Sequence, residues 1–185
     1  MAVATLKNGV DVQKLTGLIE DVKREPWKAR LEFTVKSEWK GGFQAKHTVA
    51  KYTVGDQAAE HERPHTLTSD EPTAILGKDQ GFSPSELVLG ALASCMSVGY
   101  AANAAAMGID LQEVRFEITG HGDLQGFMNL NNVRPGMPEI SVKTFVKANA
   151  TPEQLRELHD HVYQHSPIRD TLSNPVKVTS ELVTG

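Results

Sequence analysis

One cysteine stands among the 185 residues, inside a stretch from Leu87 to Ile109 that holds no charged side chain. As a thiolate, Cys95 would be a nucleophile; as a thiol it would be a small core residue, because free cysteine is among the most buried residue types. At 3.6 residues per turn its helix face is made by Val88, Ala91, Leu92, Gly99 and Ala102, all apolar or without a side chain. Ionised sulfur is disfavoured on such a face, so chemistry at Cys95 calls for a cation or a base from another element. His165 has a suitable side chain. It follows Leu158 by seven residues and Val162 by three, and helical spacing turns it to the inner face of its segment. The plainer reading is an inward histidine satisfied by a backbone carbonyl. Glu86 is the third candidate, but it occupies the third helical position of a capping box and lies about half a turn round the helix from Cys95.

The histidines also raise a metal reading. His161 and His165 are four residues apart, a spacing that sets two imidazoles on neighbouring helical turns, and His61 and His65 repeat the spacing in an expected loop. No glutamate follows His161 in the manner of a zinc hydrolase, and no cysteine pair completes a structural site. Solvated or capping histidines are therefore expected, with no metal and no cofactor. His159 and Asp160, placed at the solvent boundary, need no special role.

These residues must be held by recognisable elements. Val12, Leu15, Leu18, Ile19 and Val22 share one helical face, and Pro26 closes that segment, so residues 10–26 read as an N-terminal helical extension. Leu31, Phe33 and Val35 alternate with polar residues as a half-buried strand, Gly41-Gly42 makes a turn, and Phe43 to Val54 returns with a bulge expected near Ala50. Gly55 to Arg63 reads as a polar connection to a short strand at His65 to Ser69. Ser83-Pro84-Ser85-Glu86 is a capping box with proline at the first helical position, and Gly108 is a natural stop. The helix between them is expected to be about 24 residues and about 36 Å long, apolar all round and buried on every side. Val114, Phe116 and Ile118 form one strand and Ile140, Val142, Thr144 and Val146 another, joined by a long connection from Gly122 to Pro138. A second capping box, Thr151 to Gln154, opens a helix that Ser166-Pro167 interrupts; Val176, Val178 and Ser180 are expected to end the chain as a strand. The order is that of a single α+β domain over 1–185.

Composition narrows the function classes. A formal net charge of −4 with scattered Lys and Arg offers no footprint for nucleic acid. The uncharged stretch is long enough to span a bilayer, but Ser94, Ser97, Tyr100 and Asn103 dilute it and amphipathic segments flank it, which favours a buried core helix over a membrane span. One cysteine and no visible secretory leader fit a reducing cytoplasm.

The run from Ser83 to Cys95, SPSELVLGALASC, resembles the central-helix signature of the OsmC family, which places a proline and an acid at the helix start and a reactive cysteine about three turns on. Ser166-Pro167-Ile168-Arg169-Asp170-Thr171-Leu172, followed by Asn174-Pro175-Val176-Lys177-Val178, is similar to that family's second-cysteine segment and final strand. The resemblance covers roughly Ala29 to the C-terminus. It implies antiparallel sheets wrapped around a long buried central helix, an intertwined homodimer, and thiol-dependent reduction of organic hydroperoxides. It also places the second-cysteine position at His165, close to Cys95, where an imidazole could act as base or cation. The subgroup specialised for organic hydroperoxides places its acid where this chain has Ser85, with Glu86 beside it, and the hairpin Trp39-Lys40-Gly41-Gly42-Phe43-Gln44 lacks the arginine which that subgroup also uses. Two functions follow: a single-cysteine peroxidase regenerated by an external thiol, or a non-enzymatic protein that takes a small ligand in an apolar cleft at the dimer boundary.

Overall fold

The computed structural model describes residues 6–185. It opens with a hairpin that the sequence reading did not foresee, β1 (Leu6–Lys7) and β2 (Val10–Asp11). Asn8 and Gly9, at φ 51° and 79°, make the two-residue turn whose twist suits a hairpin, which is the ordinary use of an Asn-Gly pair. The Asn8 amide then works as a strand substitute. Its Nδ2 donates to Ile109 O at 2.9 Å and its Oδ1 accepts from Leu111 N at 2.9 Å. Asp11 caps the expected amphipathic helix α1 (Val12–Arg24), and a 3-10 turn at Pro26–Ala29 follows.

Four antiparallel strands come next: β3 (Leu31–Phe33), β4 (Lys36–Gly41), β5 (Gln44–Val54) and β6 (Gln57–Ser69). β3 and β4 pair in turn with the two halves of one edge of β5, and β6 runs along the other edge. The bulge near Ala50 is present, between Val49 and Lys51. Two expectations are corrected. Gly55 to Arg63 is not a loop: Gln57 onward is already β6, paired to β5 from Val54↔Gln57, because a strand on a polar sheet face needs no apolar alternation. The first strand is interrupted after Phe33, and its apolar side chains are not covered within the chain; Phe33 is 65% exposed and Trp39 on β4 is 75% exposed.

The central helix α2 (Pro84–Ala106) starts at the Ser83 capping box, and Gly108 lies just beyond it at φ 73°, the left-handed stop that glycine allows. With 23 residues and a window of mean hydropathy 1.4, it is long and apolar enough to cross a membrane by length and composition. In the fold it is covered on one side by the antiparallel pair β7 (Leu111–His121) and β8 (Glu139–Ala148), and by helices α4 (Pro152–Gln164) and α5 (Pro167–Ser173). A short helix α3 (Leu124–Phe127) lies in the β7–β8 connection. Leu92, Met96, Tyr100 and Ala104 make an i, i+4 stripe on α2 that meets Leu158 and Val162 of α4 and the inward residues of β7–β8, from Val114 to Ile118 and Ile140 to Val146. At Gly99 a Cβ would stand 2.9 Å from Val162 Cγ1, so glycine is what lets α4 lie this close.

The expectation that α2 is buried on every side does not hold within one chain. Ala91, Ser94 and Val98 form an open stripe, Val98 being 70% exposed. The expected final strand is also absent: residues 174–185 carry no secondary structure, and Val178 is 88% exposed. Backbone alternation alone cannot make a strand without a neighbouring edge to pair with.

Candidate functional site

Leu92 and Met96 point α2 into the core, and Cys95, about 100° round from Met96, falls at the border between α2 and α5. It is partly exposed. Its Sγ is 3.2 Å from Ser166 Oγ, a hydrogen bond between residues 71 apart in sequence. Ser166 is only 4% exposed. It is the N-cap of α5, where its Oγ accepts from Arg169 N at 3.3 Å, and Pro167 supplies the first helical residue.

His165 does not take the place assigned to it. It is the C-cap of α4, with φ −106° and ψ 15°, and its side chain is exposed. Its backbone N–H donates to His161 O at 3.1 Å. Its Nδ1 lies 2.8 Å from the same carbonyl, which can only accept, so Nδ1 carries the proton. The two imidazoles stack at 4.3 Å between centroids. The inward reading extrapolated a helical period one residue beyond the helix. Where α4 stops, the chain turns, and the inward position passes to Ser166.

Glu86 serves the helix end. Its Oε2 accepts from Ser83 N at 2.7 Å while Ser83 Oγ accepts from Glu86 N at 3.2 Å, and it lies on the opposite side of α2 from Cys95. Of the three expected site residues, only Cys95 therefore stands at the α2–α5 contact, and its neighbour there is one that sequence spacing did not select. The proline after Ser166 was the available signal, since it marks Ser166 as a helix cap between two inward helices.

Two further groups escaped the sequence reading. Arg169, one turn beyond Ser166, lays its guanidinium over the Tyr163 ring at 4.6 Å, and its Nε is buried without a hydrogen-bond partner. Tyr100, 1% exposed, has its hydroxyl 2.7 Å from His159 Nδ1. Burial pushes that hydroxyl up to about 12, so it stays protonated at neutral pH. The His61 and His65 rings meet edge to face at 4.6 Å on β6. Among the described residues no group of three or more His, Cys, Asp or Glu side chains is arranged to hold a metal.

An open groove of about 490 Å³ runs along α4 past Glu153, Glu157 and His161, and a cavity of about 250 Å³ lies at the end of β7 beside His121 and Arg134. Cys95 lines neither.

The α+β architecture, a long central helix carrying a cysteine on the border with a following helix pair, is that of the OsmC-like proteins. The family model described as OsmC-like protein matches residues 77–181, and the chain belongs to that family. Among solved structures it is similar to an OsmC-like protein from Mycoplasma pneumoniae, with TM-score 0.58 and 19% identity over 77% of this chain and 87% of that one. It is also similar to a putative osmotic stress induced and detoxification response protein from Psychrobacter arcticus, with TM-score 0.56 and 18% identity over 75% and 86% of the two chains. An OsmC-like protein of unknown function from Vibrio cholerae gives TM-score 0.52 and 12% identity over 76% and 92%. At these identities the likeness is one of fold. No curated protein matches the sequence. The matched region leaves out β1 to β6 and α1.

Proposed function

We propose that this protein reduces organic hydroperoxides through Cys95 as a homodimer, with an external thiol as reductant. The observation that carries the reading is the Cys95–Ser166 contact, a partly exposed thiol with a hydroxyl at 3.2 Å in a chain of the OsmC family. The thiolate attacks the terminal oxygen of the hydroperoxide. The O–O bond breaks, its electron pair leaves with the alkoxide, which takes up a proton to become the alcohol, and sulfur is oxidised to the sulfenic acid. The chain holds no second cysteine to condense with it. One external thiol therefore displaces water to give a mixed disulfide, and a second releases Cys95 as thiol and departs as the oxidised reductant.

The dimer is supported by the surface. The chain exposes 13978 Å², against about 8,800 Å² expected for a compact monomer of 20.2 kDa. The excess includes the α2 stripe around Val98, the apolar side chains of β3 and β4, and the 174–185 tail. Exposed apolar side chains on three separate elements favour a cover, which a second copy of the chain would supply.

Turnover of tert-butyl hydroperoxide with dithiothreitol, glutathione and a dithiol protein reductant tests the reading. Multiple turnovers are expected with at least one of them, and none with Cys95→Ser. Single oxidation of Cys95 without turnover by any thiol would overturn the peroxidase assignment in favour of ligand binding.

A further inference from the structure

The buried hydroxyl beside Cys95 has a chemical consequence. Ser166 Oγ accepts the Arg169 N–H in capping α5, and its own proton remains free to be donated. With the neutral thiol at 3.2 Å either partner can be the donor. Once the sulfur ionises it can only accept, and Ser166 remains as donor to it. A hydrogen bond donated to the charged form favours that form, and does so more strongly when the donor is shielded from water, as Ser166 is. The residues expected to activate the thiol stand elsewhere: His165 turns its ring to the His161 carbonyl and Glu86 closes the opposite side of the helix start.

We infer that Ser166 is a positioning residue for Cys95, its hydroxyl holding the sulfur in place and stabilising the thiolate. This rests on the reading of Cys95 as the reacting group. It also gives the two helices α4 and α5 a role in reactivity, since the break between them aims the hydroxyl at α2. A hydrogen bond to a charged partner changes an equilibrium by about tenfold or more. Because a stabilised thiolate is also a weaker nucleophile, by a factor of about three over that range, the net effect on reaction rate near neutrality is about threefold.

The test is the rate of iodoacetamide alkylation of Cys95 in the native protein at pH 7. Ser166→Ala is expected to slow it about threefold, and Ser166→Thr, which keeps the hydroxyl, to restore it to within about twofold of wild type. Ser166→Gly keeps most of the capping ability without a hydroxyl and is expected to slow alkylation as alanine does. A purely structural role predicts the opposite sign, because fraying of α5 would uncover the thiol and speed the reaction. Alkylation at the wild-type rate or faster in the alanine and glycine variants overturns the inference, as does equal slowing in the alanine and threonine variants. The assay uses no peroxide. Normal alkylation behaviour without hydroperoxide turnover would therefore sink the peroxidase proposal alone, and turnover with alkylation insensitive to Ser166 would sink this one alone.

Discussion

Cys95 and Ser166 are 71 residues apart in sequence and 3.2 Å apart in the fold, and that distance makes a strong demand of the variant Ser166→Cys. A sulfur at 166 needs to close by roughly 1 Å to reach a disulfide bond length of about 2.05 Å. Oxidation of Ser166→Cys by hydroperoxide or diamide is expected to give an intramolecular disulfide, seen as loss of both titratable thiols and two hydrogens by mass spectrometry; persistence of two free thiols would contradict the contact. Conversely, His165→Ala and His161→Ala should alkylate Cys95 at the same rate as wild type, because the two rings stack on each other at the α4 terminus. A selective slowing in His165→Ala would return that residue to the site. Tyr100 gives a third residue-scale prediction. Burial holds its hydroxyl up to about 12, above the value of about 10 for a free tyrosine. A group whose value is raised on folding contributes its stability fully below the unfolded value and loses it as pH rises through the folded one. Thermal unfolding of the wild type should therefore lose on the order of 2–3 kcal/mol between pH 10 and 12 that Tyr100→Phe does not lose. Superimposable alkaline profiles would refute it.

At the scale of elements, the approach to α2 depends on one carboxylate. Asp70, 1% exposed, accepts from Glu71 N at 2.9 Å through Oδ1, and from Lys78 N at 3.2 Å, Gln80 N at 3.3 Å and Gln44 Nε2 at 3.1 Å through Oδ2. It thereby ties the loop between β6 and α2 to the start of β5. Burial alone raises its carboxyl, but the hydrogen bonds from Glu71, Lys78, Gln44 and Gln80 together outweigh it and hold the group below the usual aspartate value. The stabilisation is then present above the unfolded value of about 4 and is lost as pH falls through the lowered folded one. Asp70→Ala should speed hydrogen exchange at the Glu71, Lys78 and Gln80 amides at pH 7, while the α2 core amides around Met96 keep most of their protection. Unchanged loop exchange would show that other contacts hold this segment.

For the whole molecule the open α2 stripe is decisive. Sedimentation at micromolar concentration should give about twice the 20.2 kDa chain mass. Val98→Lys puts a charge on the Ala91–Ser94–Val98 stripe at its most exposed large apolar residue and is expected to shift the molecule to monomer or to cost it cooperative unfolding. A stable folded wild-type monomer would remove the dimer from the proposal.

Much of this protein was legible from residues in a row. The capping boxes at Ser83 and Thr151, the glycine stop at 108, the alternation of β7 and β8 and the bulge at Ala50 follow from hydrogen bonds and periods that span a few neighbours, and those signals are written locally. The seating of Cys95 on a long apolar helix was legible for the same reason. Tertiary structure alone decided which side chain meets it. That depends on where α4 ends and at what angle α5 leaves it, and a shift of one residue there replaced an imidazole with a hydroxyl. The same holds for Asn8 bridging Ile109 and Leu111, for β6 pairing along a polar face, and for the tail, whose alternating valines lack an edge within the chain. Such contacts join segments far apart in sequence, and no local period encodes a partner's position.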